Sequence, residues 1–517
     1  MRIKGQQPFG LHFVGCAQDR RRLNIAQEKG GFFLALSSAC TIFANWFDPS
    51  TAMQFDTYTY ALFLPIVFFI YWALRRRLKG QNLFLLFASY LFYGWWDWRM
   101  LSLIMLTTLS TWFTALMMKG GRCRSDKWWA AANIVLNMGI LGVFKYLNFL
   151  RDSFVHLLGL FGLSPDWPTL NILLPVGISF YTFQAISYTL DVYRGEVKAT
   201  RDVVAFSVFI SFFPQLVAGP IERAINLLPQ FQRKKEFDYN TAVTGMRQIL
   251  WGLAKKVIIA DSVGYYVDQL LANPYSYSAI EMIWAGLLFA VQIYADFSGY
   301  SDIAIGSARL LNIRLQPNFR YPFFSRNMKE LWQRWHISLM TWFRHYVYFP
   351  LGGSRRGKWR TAVNTMIVFA LSGLWHGADW TFVIWGTVNG LLLLPFIFMP
   401  RRRFSEHASW RELPQCMLTF FLFAMVFIAF RANGITHLGQ ICYVIAHGSW
   451  LVLPAFSEAI WYVVPFFVIE WLGRRQEFPL ARLPFPTAVR WLIYWGLLIG
   501  ISLASLDRDA QFIYFQF

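Results

Sequence analysis

Long apolar runs, separated by short basic clusters, alternate along most of this chain. The runs lie near residues 57–74, 81–98, 99–118, 128–149, 170–190, 203–219, 279–297, 361–374, 377–399, 415–430, 450–471 and 487–506. Several are shorter than the ~20 residues that a straight helix needs to cross a bilayer. Short runs broken by Pro or Gly are typical of half-helices or re-entrant segments shielded by protein. The pattern predicts an all-α polytopic membrane protein with about 10–13 transmembrane or re-entrant helices.

The first 52 residues differ from the rest. Residues 1–30 hold six Lys or Arg and no long apolar run, and residues 31–47 form one short apolar stretch. This N-terminal extension has three open interpretations: a signal-like segment, an extra first helix, or a misassigned start upstream of a true start at Met53. Residues 53–517 are predicted to form a single membrane domain.

The composition supports a membrane protein. Hydrophobic residues make up 56% of the chain and charged residues only 15%, against about 25% charged residues in soluble domains. The net charge is +20, and basic residues form short clusters between apolar runs, at residues 75–77, 233–235, 355–356 and 401–403. This is the positive-inside pattern, which indicates contact with membrane lipids and no nucleic-acid partner. The basic loops at 75–79 and 119–127 are predicted to be cytoplasmic, and the tip at residues 95–98 is predicted to lie outside.

A polar region between residues 191 and 360 interrupts the apolar pattern. Asp296, Ser298, Ser301 and Asp302 come directly after an apolar run. Polar groups at membrane depth are costly, so they usually line a cavity or a site. Asp296 and Asp302 are interpreted either as a helix cap plus a buried hydrogen-bond acceptor or as substrate-binding groups, and the residues alone favour the structural role.

Three of the eight histidines lie in or near this polar region: His336, His345 and His376. Nine residues separate the first two, which places them on opposite faces of an unbroken helix, so they are not expected to act together. His376 lies between Gly373 and Gly377, where another segment or a substrate can approach closely. Its neighbour Trp375 favours a neutral imidazole, which suits a general base. A packing role stays open for His376 and is preferred for His345.

Other motifs are weaker. Residues 352–358 read Gly-x-x-x-x-Gly-Lys, but Trp359 replaces the Ser or Thr of a phosphate-binding loop and no strand precedes it. Arg355 and Arg356 in this segment are either a topology signal or a binding site for the phosphates of an anionic donor. The five cysteines are scattered without a CxxC pair, so no metal site is expected.

Seven strings of this sequence resemble the membrane-bound O-acyltransferase family, in its bacterial alginate O-acetyltransferase branch. They are FYGWWD (92–97), GISFYTFQAISYTLDVYRG (177–195), FFPQLVAGPI (212–221), IYADFSGYSDIAIGSARLLNI (293–313), WQRWHISLMTWFRHYVYFPLGG (332–353), LSGLWHGADWTFVIWG (371–386) and FIYFQF (512–517). The resemblance implies a helical bundle around a central tunnel, with His336 and His376 as catalytic residues. One departure is His345, where the family often has Asp.

The resemblance also implies a mechanism. A cytoplasmic thioester, such as acetyl-CoA, would present its acyl group at the tunnel, and no bound cofactor or metal is needed. His376 would serve as base or in an acyl relay, while His336 orients a group or stabilises charge. Candidate substrate- or donor-binding residues are Trp375, Arg334, Asp296, Asp302, Arg355 and Arg356.

The expected protein is therefore an acyltransferase of the bacterial inner membrane. It would acetylate an exopolysaccharide such as alginate, with periplasmic acetylation proteins as partners. Cellulose or peptidoglycan O-acetylation and D-alanyl transfer are alternative reactions. A membrane transporter is the alternative outside enzymes, although the absence of a convincing internal repeat weakens it.

Overall fold

The described part of the protein is helical. The computed structural model describes residues 53–505 apart from positions 122, 164, 166, 171, 218 and 401–404. Within these ranges no strand is present. The interpretations of residues 1–52 and the string at 512–517 lie outside the described residues and stay predictions. The predicted all-α class is confirmed.

The N-terminal half contains eleven α-helices within its described residues. They are α1 (Tyr58–Ala73), α2 (Leu78–Gly94), α3 (Leu101–Met117), α4 (Arg124–Leu141), α5 (Leu147–Gly159), α6 (Ile178–Arg194), α7 (Val203–Ser211), α8 (Phe213–Leu216), α9 (Ala224–Phe231), α10 (Tyr239–Leu253) and α11 (Asp261–Ala272). Two wide π-helical turns, Gly142–Tyr146 and Ala254–Ala260, join α4 to α5 and α10 to α11. Such turns occur often at functional sites.

The C-terminal half continues with α12 (Ala279–Leu310), α13 (Met328–Arg334), α14 (Ile337–Phe343), α15 (Lys358–His376), α16 (Trp380–Leu393), α17 (Pro395–Phe398), α18 (Leu413–Arg431), α19 (Gly434–His447), α20 (Ile460–Gly473) and α21 (Thr487–Ser505). A third π-helical turn, Arg344–Tyr348, follows α14. Short 3₁₀ turns lie at Trp98–Met100, Pro274–Ser276, Pro322–Phe324, Trp410–Glu412 and Ser457–Ala459.

Six helical stretches of the described residues are long and apolar enough to cross a membrane. They are Trp98–Met117, Arg124–Gly159, Ala279–Leu310, Trp380–Phe398, Trp410–Arg431 and Thr487–Ser505, and α1 is a shorter apolar helix. The remaining helices include several of only a few turns, as the short and interrupted runs predicted. The protein is thus a multi-pass membrane protein.

Several predicted boundaries were wrong. The helix expected at 279–297 continues to Leu310, because Asp296 and Asp302 find buried lysine partners and the polar residues do not end it. The prediction that one of these aspartates caps a helix is therefore wrong. The α-helices within the runs at 170–190 and 450–471 begin only at Ile178 and Ile460.

Helix α12 is the most deeply buried of the six membrane-spanning candidates among the described residues, with 78% of its most apolar window buried. It packs closely on α10 through two pairs of glycines. A Cβ atom on Gly252 would lie 2.6 Å from the carbonyl oxygen of Gly299, and one on Gly306 would lie 2.6 Å from that of Gly245. Small residues let two membrane helices approach to backbone contact, so this spacing fixes α12 against α10.

Gly252→Ala is expected to destabilise the protein by about 1–3 kcal/mol, since a methyl group there must push α10 and α12 apart. Gly139→Ala in α4 is the matched control, because no atom outside its own helix segment lies within 4 Å of a Cβ placed there. Thermal unfolding of the purified protein in detergent measures both. Equal unfolding temperatures for the two variants would contradict the close packing of α10 and α12.

Candidate active site

His376 is the last residue of α15, and glycines hold this helix end against α16. A Cβ atom on Gly373 would collide with the carbonyl oxygen of Phe382, and one on Gly386 would collide with that of Phe369. A Cβ on Gly377 would collide with the ring of Phe382. The expectation that these glycines permit a close approach is confirmed. The close packing of α15 on α16 fixes the position of the backbone of His376.

Aromatic rings surround His376. The side chain is 6% exposed. The centroids of its ring and the rings of Trp375, Trp385 and Phe430 are 4.8, 5.1 and 5.4 Å apart, all in edge-to-face geometry. Such an apolar wall removes water from the imidazole and favours its neutral form. The ring is therefore held in the state that a general base needs.

His336 is completely buried, and its backbone conformation is strained. The residue precedes α14 with φ 44° and ψ 52°, in the left-handed region. Neither ring nitrogen has a hydrogen-bond partner among the described residues. Its ring meets that of Phe297 edge to face at 4.7 Å. Strained backbone and unpaired buried polar atoms are both costly and both concentrate at functional sites.

The structure brings His336 and His376 together. Their ring centroids are 6.1 Å apart, and the ring of Trp375 is also 6.1 Å from His336. One reacting group can therefore lie within reach of both imidazoles. His336 directly precedes α14 and His376 ends α15, so this pairing depends on the tertiary fold.

A cavity of about 220 Å³ opens onto His376. We call it the outer cavity. It is lined by Trp96, Lys145, residues 173–180, Val217, Trp375 and His376. The Nζ atom of Lys145 donates hydrogen bonds to the carbonyl oxygens of Trp375 and His376, at 2.6 and 3.0 Å. A cationic group therefore shares this cavity with the histidine.

A second cavity, of about 480 Å³, lies along the opposite part of α15. We call it the inner cavity. It is lined by Lys329, Trp332, Gln333, Ile337, Met340, Thr341, Arg344, Tyr348, Thr365, Val368, Phe369 and Leu393. Phe369 and His376 are about 10 Å apart along the helix axis, from the rise of 1.5 Å per residue. Helix α15 therefore contributes to both cavities, and Ile337 of the inner cavity adjoins His336 in sequence.

Asp296 and Asp302, predicted as binding candidates, lie in a network of buried charges. Lys256 contacts Asp261 at 2.7 Å and Asp296 at 3.2 Å. Lys255 contacts Asp302 at 2.6 Å. None of these five residues lines the outer or the inner cavity. Buried charges survive when paired, which supports the structural interpretation of both aspartates. Lys255 and Asp302 also line a separate small cavity of about 30 Å³, and the binding role of the two aspartates stays a prediction.

None of the three arginine candidates lines the outer or the inner cavity. Arg334 pairs with Glu330 at 2.7 Å. Arg355 and Arg356 are exposed on the loop before α15. The cations that line the inner cavity are instead Lys329 and Arg344. Of the candidate binding residues, only Trp375 adjoins the histidine pair.

His345 occupies a different environment from His336. The premise of one unbroken helix is wrong, because His336 precedes α14 and His345 lies in the π-helical turn after it. The Nδ1 atom of His345 lies 2.8 Å from the carbonyl oxygen of Thr341. Its packing role stays a prediction, and this contact supports it.

Lys145 is the site residue that the sequence interpretation missed. A signal was present, because Lys145 is the one charged residue inside the apolar run 128–149. An ionisable residue within a membrane segment is a candidate for function by default. Lys255 and Lys256 lie outside the predicted apolar runs and serve the buried charge network.

Comparison with known proteins identifies the family of this chain. A sequence model of MBOAT, the membrane-bound O-acyltransferase family, matches residues 196–436. The chain is 35% identical over 494 residues to the probable alginate O-acetylase AlgI of Pseudomonas putida, covering 88% of this chain and 98% of that protein. It is 32% identical over 403 residues to the peptidoglycan O-acetyltransferase of Helicobacter pylori, covering 72% and 76%.

A more distant relative is the teichoic acid D-alanyltransferase of Bacillus subtilis, 28% identical over 292 residues that cover 53% of this chain and 73% of that protein. The names of all three relatives specify the transfer of an acyl group. The predicted acyltransferase class is therefore confirmed, and the transporter alternative is rejected. This chain belongs to the membrane-bound O-acyltransferase family.

Proposed function

We propose that the protein moves an acetyl group from a cytoplasmic thioester to a hydroxyl group on the periplasmic side, for O-acetylation of an exopolysaccharide such as alginate. The membrane would be the bacterial inner membrane. The observation that carries the proposal is the pair of imidazoles whose ring centroids are 6.1 Å apart. His376 lines the outer cavity, and other residues of the same helix line the inner cavity.

The predicted orientation in the membrane indicates which substrate enters each cavity. Trp96 belongs to the tip at residues 95–98, which is predicted to lie outside, and it lines the outer cavity. Helix α15 starts beside the basic loop with Arg355 and Arg356, which suits the cytoplasmic side. The acceptor hydroxyl therefore enters through the outer cavity, and the thioester enters through the inner one. Lys329 and Arg344 attract the phosphates of an anionic donor such as acetyl-CoA.

The transfer needs one base and one leaving thiol. The acceptor oxygen attacks the thioester carbonyl carbon while His376 removes the hydroxyl proton. A C–O bond forms, the carbonyl oxygen becomes transiently negative, and the C–S bond then breaks. The departing thiolate takes up the proton, so atoms and charge balance. His336 lies within reach of the same group and orients it or stabilises its charge.

The acceptor is inferred from the relatives. The names of two of them specify O-acetylation of alginate or peptidoglycan, and a third specifies D-alanyl transfer to teichoic acid. Alginate is preferred because the match to the alginate O-acetylase covers 98% of that protein. In that system periplasmic acetylation proteins would complete the transfer to the polymer. Peptidoglycan, cellulose and D-alanyl transfer are the alternatives.

Deletion of this protein is expected to remove acetyl esters from the secreted polysaccharide. Mass spectrometry of isolated envelope polymers from deleted and complemented cells measures this loss. The wild-type copy should restore the esters, and a His376→Gln copy of equal membrane abundance should not. Loss of acetyl from muramic acid, or of D-alanyl esters, would replace the proposed acceptor with an alternative one. Unchanged esters in every polymer would contradict the proposal.

A further inference from the structure

A closed set of hydrogen bonds holds the π-helical turn Arg344–Tyr348 that follows α14. The hydroxyl of Tyr346 donates to Oδ1 of Asp191 at 2.7 Å and accepts from Nε of Arg223 at 3.0 Å. The Nη2 atom of Arg223 donates to the same Oδ1 atom at 3.1 Å. Asp191 is completely buried, and Tyr346 is only 7% exposed. Each of these three side chains contacts the other two, and we call them the clamp.

Neighbouring charges reinforce the clamp. The Nη1 atom of Arg194 donates to the carbonyl oxygen of His345 at 3.4 Å, and its guanidinium lies 5.4 Å from the ring centre of Tyr346. The guanidinium of Arg223 lies 5.6 Å from the same ring and also donates to Glu196 at 2.8 Å. Cations over an aromatic ring at these distances are attracted to it. The π-helical turn is therefore tied both to α6 and to the start of α9.

The other side of the turn faces the inner cavity. Arg344 and Tyr348 line that cavity, whereas Tyr346 between them does not. Residues two apart lie on nearly opposite sides of a helical turn, so the clamp contacts the side that faces away from the cavity. Arg344 is exposed, and its guanidinium forms no hydrogen bond or ion pair with any described residue. This guanidinium is therefore available to an anionic ligand.

We propose that Asp191, Arg223 and Tyr346 are positioning residues for the acyl donor, because they hold the turn from which Arg344 binds a phosphate of the donor in the inner cavity. This inference rests on the proposed function, in which the donor enters through that cavity. The clamp itself contacts neither the donor nor the reacting atoms. It limits the positions open to Arg344, and ordering a binding group in advance lowers the entropy cost of binding.

The test compares two thioesters. The full chain in lipid nanodiscs binds radiolabelled acetyl-CoA, and acetyl-pantetheine, which lacks the phosphates and the adenosine, competes for the site. The wild type is expected to bind acetyl-CoA at least about tenfold more tightly, the size of one charge-assisted hydrogen bond. Arg344→Met should remove most of this preference. Tyr346→Phe keeps the ring and removes only the hydroxyl, so it should lower the preference by about threefold or more.

Three comparisons separate positioning from folding. Tyr188→Phe removes another buried tyrosine hydroxyl of α6, which accepts from the backbone N–H of Thr200 at 2.9 Å, so it should lower the unfolding temperature and leave the preference unchanged. The double variant Tyr346→Phe/Arg344→Met should have the same preference as Arg344→Met alone, because the clamp acts through Arg344. Asp191→Asn keeps an oxygen that accepts from Tyr346, so it should retain more of the preference than Asp191→Ala.

Each outcome supports or overturns the positioning role. A lower preference in Tyr346→Phe that is absent from Tyr188→Phe, and that adds nothing to Arg344→Met, supports it. Equal weakening of both thioesters by Tyr346→Phe would limit the clamp to folding and overturn it. An unchanged preference in Arg344→Met would overturn it too, and neither result would affect the proposed acyl transfer. Binding of neither thioester by the wild type would remove the proposed donor and this inference with it, while ester formation in cells tests the transfer separately.

Discussion

Replacement of His376 by glutamine is expected to leave the protein folded and inserted but to cut acyl transfer by about 10²–10⁴-fold, the usual contribution of a general base. Glutamine keeps a similar bulk against Trp385 and Phe430 and retains some hydrogen bonding, yet it cannot take up a proton. Polymer-linked ester, divided by the amount of protein in the membrane, is the measurement.

His345→Ala is the matched control, because His345 contacts Thr341 and not the paired imidazoles. It should reduce ester levels far less. Near-normal ester in His376→Gln would make His376 a structural residue. A loss that only follows the amount of protein would assign it to folding, and the base would then be sought at His336.

The sequence predicted the fold class well because membrane helices are defined by composition. The all-α polytopic class follows from runs of apolar residues between basic clusters, and no tertiary contact is needed to find them. The predicted helix boundaries were wrong where polar residues continue a helix. The local sequence does not show that α12 continues past Asp296, because the helix is stabilised there by Lys256, which belongs to a different helical segment.

The site was predictable in part. Physical arguments singled out His376 from its glycines and its tryptophan, but they could not distinguish a base from a packing residue. Resemblance to a family added His336. Neither source could give the 6.1 Å between the rings or the left-handed backbone of His336, because both depend on how α14 and α15 pack.

The arginine candidates show the reverse case, in which the sequence suggested residues that line neither cavity. Arg355 and Arg356 stand out as a cluster in the sequence, yet the cations at the inner cavity are Lys329 and Arg344, which sequence alone leaves scattered among aromatic residues. A cavity gathers side chains from several helices, so local charge density is a weak guide to what lines it. Lys145 repeats the point, since only its contacts with the end of α15 link it to His376.

His336→Asn is expected to reduce acyl transfer by about 10²-fold while preserving the fold. Asparagine tolerates the left-handed region better than most residues, so this change keeps φ 44° and ψ 52° accessible and removes only the imidazole. His336→Val is the contrasting variant, because a β-branched residue is strained there and should lower the thermal stability as well. Activity and unfolding temperature, measured on the same purified samples, separate the two effects.

The double variant His336→Asn/His376→Gln then tests whether the two imidazoles act on one reacting group. Catalytic residues that work as a unit show strongly non-additive losses, so the double variant should be little slower than His376→Gln alone. Independent roles would instead multiply the two losses. Multiplied losses would contradict a shared reacting group, and the 6.1 Å separation of the rings would then reflect packing around Trp375.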